Sequence, residues 1–298
     1  MSDTAFTFSP RAYGLPTREE LVAHRIWDLH YHGMGPPYTK SPVEQNEEAF
    51  EFVDRMGVEV VCPFVHVGLG TEDGRPRPFL AETERSYEQA FARWKDRFAG
   101  FVWLNPTNVP GSLAAIDKWV AKGPMVGFKF GSFILPCSHP NFEPLVAKSM
   151  ELGAPLYIHA WYVVGGEPRR FDGASPAATS SPKDVAILAE RHPEATLICG
   201  HAGGDWELGV RTIQPHKNVY LEFAGSDPHS GSVDFAVREL GAERIVWGGH
   251  ILSRSYSNEL SKVFDADITE AQRKSIFGGN LRRILAPILR RKGRTVTI

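Results

Sequence analysis

His30 and His32 stand in the run Asp28-Leu29-His30-Tyr31-His32, at the end of an apolar stretch. Residues two apart on a strand point to the same face, so one extended segment can offer two imidazoles to one metal ion. Taken alone, the pair also fits two polar residues in a loop mouth. Two more histidines weigh against that. His159 closes Pro155-Leu156-Tyr157-Ile158-His159, and a histidine after four residues of apolar strand is costly unless paired, hydrogen-bonded or ligated. His201 follows Leu197-Ile198-Cys199-Gly200 in the same way. A divalent ion held by three or four imidazoles with an open position acidifies bound water and polarises a carbonyl. That is hydrolysis. The same ion can chelate a carboxylate and a neighbouring oxygen and so support loss of carbon dioxide. Core histidines satisfied by the backbone are the alternative.

Four such residues converge only if strand ends share one face. Eight β-rich runs are readable: Arg25–Leu29, Glu59–Val65, Ala99–Leu104, Val126–Phe130, Leu156–His159, Thr196–Cys199, Val219–Phe223 and Arg244–Trp247. They are near-continuously apolar, as in strands buried on both faces of a parallel sheet. Helical periodicity fills Ser41–Met56, Glu82–Trp94, Gly111–Lys122, Asn141–Leu152, Ser181–Arg191 and Ser232–Leu240. Eight β-loop-α units predict a single-domain (β/α)8 TIM barrel over residues 1–298, with parallel strands opening on one catalytic face. An open doubly wound sheet would call for fewer strands and a Gly-rich first turn. Residues 1–24 read as an N-terminal extension. The Gly/Pro-rich stretch 165–182 follows the strand of His159 and reads as an active-site lid. Thr269–Leu289 reads as a C-terminal helical segment interrupted at Gly278-Gly279-Asn280.

The chain has 298 residues, 42% hydrophobic and 23% charged, with a net charge of −2. That balance argues against a nucleic-acid or anionic-membrane partner. No stretch approaches the roughly 20 apolar residues that span a bilayer. No apolar leader opens the sequence. Cys62, Cys137 and Cys199 are irregularly spaced, which suits free thiols in a reducing compartment, hence the cytoplasm. A small anionic molecule is the expected partner, and a homo-oligomer the expected assembly.

The first-strand motif, Gly127-Phe128-Lys129-Phe130, Ile158-His159, Gly200-His201 with Gly203-Gly204, Asn218-Val219-Tyr220 and Phe277-Gly278-Gly279-Asn280-Leu281 together resemble the amidohydrolase superfamily. The likeness is to its aminocarboxymuconate-semialdehyde-decarboxylase-like branch, which holds metal-dependent decarboxylases beside lactone and amide hydrolases. The resemblance implies one divalent ion, zinc first and manganese or iron next, with His30, His32, His159 and His250 as ligands. It implies His201 and His250 as the catalytic pair. The branch ends its eighth strand in Gly-Ser-Asp, where the Asp ligates metal and moves a proton. This chain reads Gly248-Gly249-His250, so an imidazole takes the place of a carboxylate. Lys129 is expected as a barrel lysine or substrate-side cation, with metal bridging as the lesser option.

By position in the strand-end loops, Trp161, Tyr162, Arg169, Arg170 and Arg254 are substrate-binding candidates, with His66 at the end of the second strand. Trp206, Tyr256, Asp205 and Glu222 are further pocket candidates. Aromatic walls and arginines suit a planar carboxylate. His229 is a possible pocket residue, His139 is left open, and His24, His192 and His216 read as surface residues. The expected activity is hydrolysis of a small carboxylate-bearing lactone, amide or ester. The alternatives are non-oxidative decarboxylation of an aromatic or unsaturated carboxylate, and a weakened metal-binding member caused by His250.

Overall fold

A computed structural model describes residues 16–33, 40–69, 81–131, 135–161, 180–225 and 230–298. Eight parallel strands form one sheet in sequential order. They are β1 (Ile26–Tyr31), β2 (Val58–His66), β3 (Phe101–Leu104), β4 (Gly127–Phe130), β5 (Leu156–Trp161), β6 (Leu197–Gly203), β7 (Val219–Glu222) and β8 (Ile245–Val246). The sheet closes on itself where Leu29 N donates to Trp247 O at 3.2 Å and His32 N to Ile251 O at 2.6 Å. This is the (β/α)8 barrel expected from the eight apolar runs. Every residue of β1, β3 and β4 is buried, as strands covered on both faces must be.

The helices are α1 (Arg18–Ala23), α2 (Pro42–Arg55), α3 (Ala81–Arg93), α4 (Val109–Ile116), α5 (Glu143–Leu152), α6 (Pro182–Arg191), α7 (Trp206–Ile213), α8 (Ser232–Leu240), α9 (Tyr256–Phe264), α10 (Glu270–Lys274) and α11 (Asn280–Arg291). Local chemistry starts several of them. Ser41 caps α2, with Glu44 reaching back to Ser41 N at 2.8 Å and Pro42 in the first turn. Thr17 and Thr269 form the same box with Glu20 and Gln272. α1, α7 and α9 have no counterpart among the segments of helical periodicity. The interruption at Gly278-Gly279-Asn280 is a π-helical turn, Ser275–Gly279, between α10 and α11. Asn280 there donates to Ala242 O and Ile245 O, both at 2.7 Å, pinning the C-terminal helix beneath β8.

His24 is not a surface residue. It is 5% exposed, with its ring against Phe264 and Phe277 at 5.6 and 5.2 Å, because the C-terminal helical segment covers the turn after α1. His192 and His216 are partly buried beside Glu143 and Glu190. His139 caps the turn before α5. The three cysteines are free and buried. Among the described residues, no helix is long and apolar enough to cross a membrane.

Candidate metal centre

β1, β5, β6 and the segment after β8 bring five imidazoles together. His30 Nε2 and His32 Nε2 are 3.0 Å apart. His250 stacks on His30 at 4.0 Å between centroids and lies 4.7 Å from His32 and 5.5 Å from His201. His201 Nε2 is 2.9 Å from His159 Nδ1. His30, His32 and His250 offer ring nitrogens all within 4.8 Å of one another, and His30, His201 and Glu222 form a second such group.

The hydrogen bonds fix which nitrogens carry lone pairs. Tyr157 OH donates to Glu222 Oε2 at 2.8 Å, so its oxygen accepts from His30 Nδ1 at 2.9 Å. His30 therefore bears its proton on Nδ1 and presents the Nε2 lone pair towards His32. Ala224 O can only accept, so His201 carries its proton on Nδ1, 2.5 Å away. His201 Nε2 then accepts from His159 Nδ1, which leaves the His159 lone pair on Nε2. Two Nε2 atoms at 3.0 Å are close to the edge of about 3.3 Å of a tetrahedron with metal–nitrogen bonds of about 2.0–2.1 Å. His30, His32 and His250 make a donor set that fits a divalent ion, with His159 joined to the cluster through His201; the Tyr157–Glu222 pair behind His30 would be the outer support such a ligand needs.

Electrostatics agree with neutral imidazoles. Burial, then the neighbouring His250, His32, Lys129 and His201, hold His30 well below its ordinary value. Burial does the same first for His32 and His201. Burial lowers His250 to about 4, with Lys129 and Arg254 adding to it. Glu222 is pushed up to about 8 by burial, against hydrogen bonds from His201 N, Tyr157 OH and Ala224 N. Those contacts are all donors, so the geometry is that of an ionised carboxylate. Asp28, raised to about 7 by burial, accepts from His30 N, Gly249 N and Tyr256 OH and ties β1 to the segment after β8.

The other candidates separate. Trp161 sits 5.5 Å from His201 and 6.3 Å from His159. His66 stacks on Trp103 at 4.0 Å, on the side of the mouth formed by β2 and β3. Lys129 Nζ lies over Tyr157, Phe64 and Trp103 at 3.9, 4.4 and 5.2 Å, inside the barrel. Arg254 donates to Gly225 O at 3.2 Å beside the cluster. Tyr256 is spent on Asp28, Trp206 packs on Phe235, and Asp205 caps α7. Tyr162, Arg169, Arg170 and His229 lie outside the described residues, as does the expected lid apart from Ser180–Pro182. One functional residue, Tyr157, is not among the sequence candidates, although it shares a strand face with His159, two residues on. Glu222, a pocket candidate by position, faces into the barrel, where it meets Tyr157.

Three similar solved structures share the fold. A 2,6-dihydroxybenzoate decarboxylase from Rhizobium is 16% identical, with a TM-score of 0.67 over 88% of this chain and 98% of that one. A 4-oxalomesaconate hydratase from Rhodopseudomonas palustris is 13% identical, with a TM-score of 0.62 over 90% and 98%. A dihydroxybenzoic acid decarboxylase from a Polaromonas species, with bound manganese and 2-nitroresorcinol, is 17% identical, with a TM-score of 0.60 over 88% and 96%. No curated protein sequence matches the chain. Residues 57–286 match the amidohydrolase family. With that match spanning most of the barrel, the chain belongs to the amidohydrolase family, as a metal-dependent enzyme of the amidohydrolase type.

Proposed function

We propose that this enzyme is a lyase that removes carbon dioxide from a small, planar, aromatic or unsaturated carboxylate. Its candidate ligands are His30, His32, His159 and His250. Zinc is the first choice of ion because the donors are imidazoles, and manganese the second because a fold relative binds it. The observation that carries the reading is the lining of the site. Phe64 packs against His30 and His32, Trp161 lies beside His159 and His201, Trp103 stacks on His66, and Lys129 places one cation over the rings of Phe64, Trp103 and Tyr157. Flat walls with a buried cation suit a flat anion. The carboxylates nearest the imidazoles, Asp28 and Glu222, are fully buried and already accept hydrogen bonds, so neither is placed to take a proton from water. Two of the three fold relatives named above are decarboxylases.

A bound divalent ion would hold substrate oxygens and draw electron density from the bond that breaks. The aromatic walls orient the substrate plane, and Lys129 offsets its negative charge. The bond to the carboxylate breaks, carbon dioxide leaves, and the electron pair stays on the carbon, which takes a proton. That proton is relayed by His201, the catalytic candidate outside the proposed ligand set, whose Nε2 lies 2.9 Å from His159 Nδ1. Hydrolysis is the second reading, favoured by the same buried, neutral His201, which can accept a proton from water. The free, buried thiols of Cys62, Cys137 and Cys199 support a reducing, cytoplasmic setting.

The test is product analysis of metal-loaded protein on a panel of hydroxybenzoates, unsaturated diacids and lactones in heavy water and in oxygen-18 water. Decarboxylation releases carbon dioxide and leaves deuterium on the vacated carbon. Oxygen-18 in a product acid without carbon dioxide overturns the lyase reading in favour of hydrolysis. Metal binding with no turnover across the panel identifies the weakened form.

A further inference from the structure

Residues 222–225 touch the imidazole cluster at almost every step. Glu222 supports His30, Ala224 O holds His201, and Gly225 lies directly against His250. Gly225 has φ +77°. A Cβ there would stand 2.4 Å from His250 Cδ2, 2.7 Å from His250 Nε2 and 3.0 Å from His201 Nδ1. The glycine cannot step back. Its N–H donates to Glu259 Oε1 at 3.3 Å, and its carbonyl accepts from Arg254 at 3.2 Å. Glu259 is itself buried and paired with Lys262 at 2.8 Å, and Lys262 also holds Phe223 O at 3.1 Å.

His250 has no spare room either. Its ring stacks on His30, its Nδ1 hydrogen-bonds Ser253 Oγ, and its backbone sits at φ +50°. A ring pushed from Gly225 would have to give up those contacts and carry Nε2 out of the cluster. His201 Nδ1, at 3.0 Å, needs to move only a few tenths of an ångström.

We propose that Gly225 is a positioning residue that admits an imidazole at position 250 and holds its Nε2 in the metal cluster. Glu259 and Arg254 are the clamps that keep the glycine backbone in place. An aspartate at position 250 is shorter than the imidazole, would not reach the space beside Gly225, and tolerates the left-handed backbone. The side chains at 225 and 250 are therefore coupled, and a larger residue at 225 is compatible only with a short one at 250. The consequence for the metal rests on the reading of His250 as a ligand.

The test is a double-mutant cycle of Gly225→Ala and His250→Asp, read twice. Thermal unfolding of metal-free protein reads the steric coupling alone. Left-handed backbone strain should cost Gly225→Ala about 2–4 °C in the His250→Asp background, and at least twice that beside His250. Cobalt(II) titration, followed by the visible spectrum of the bound ion, reads ligation. Gly225→Ala should weaken cobalt binding at least tenfold in the native background and change its band pattern. With His250→Asp present, the loss should stay under about threefold. If Gly225→Ala unfolds the native background while the double variant folds, the coupling holds in its strongest form. Equal losses in both backgrounds, or failure to fold in both, overturn it. Coupling in the unfolding cycle with cobalt binding unchanged upholds the positioning of His250 and overturns its role as a ligand.

Discussion

Tyr157→Phe removes one oxygen from the most connected point behind the imidazole cluster. The hydroxyl is 2.9 Å from His30 Nδ1 and 2.8 Å from Glu222 Oε2. Without it, His30 Nδ1 keeps only Glu222 Oε1 at 3.4 Å, while Glu222 retains His201 N and Ala224 N. The site is fully buried, so the donor on His30 is left poorly satisfied, a cost of about 1–3 kcal/mol. The tautomer that aims Nε2 at His32 also loses its main constraint. At about 1.4 kcal/mol per factor of ten, that cost corresponds to a metal affinity lowered about 10–100-fold, the range found for lost outer partners of ligating histidines. The assay is competition for zinc against a chromophoric chelator at fixed pH, with unfolding of the metal-free protein as a check on the fold. A Tyr157→Phe protein that binds zinc within threefold of the native protein would refute the assignment of Tyr157 and Glu222 as supports for His30.

Other perturbations follow from the same contacts. Gly200→Ala would place a Cβ 2.2 Å from Tyr157 Oη and 2.5 Å from its Cζ, so it should displace that ring from His30 and weaken zinc binding about tenfold; binding within threefold of the native protein would contradict this. Lys262→Met strands buried Glu259 and should cost about 3–5 kcal/mol by urea midpoint at unchanged slope, with most of the loss recovered by adding Glu259→Gln. Burial holds His24 below its ordinary value of 6.5, so the unfolded chain takes up its proton first and stability falls as pH drops below about 6.5. His24→Phe removes that loss, so its melting temperature should gain on the native protein between pH 7 and pH 5; a constant difference would count against a buried His24.

The barrel was legible because its strands are buried on both faces. Glu59–Val65 and Thr196–Cys199 read as near-continuous apolar runs with no need of alternation. The histidines were legible because a polar ring at the end of such a run has few inexpensive places to go. What could not be read was direction and partnership. Glu222 ends the short apolar strand β7, and nothing in its neighbours says which side of the barrel it faces; that depends on Tyr157, 65 residues away. Tyr256 and Trp206 looked like pocket aromatics from loop position alone. A turn of helix and a partner on another element decide whether such a ring meets substrate, Asp28 or Phe235. His24 misled for the same reason, since the segment that buries it lies more than 200 residues further along the chain, at Phe264 and Phe277.

The central claim is that the imidazoles at the mouth of the barrel form one metal centre. X-ray absorption on protein loaded with a single equivalent of zinc tests it most directly, because multiple scattering from imidazole rings counts the histidines bound. The account predicts at least three imidazoles in the native protein, with fewer and weaker imidazole signals in His30→Ala and His159→Ala. A zinc shell of water and carboxylate oxygens, or one unchanged in both variants, would contradict it.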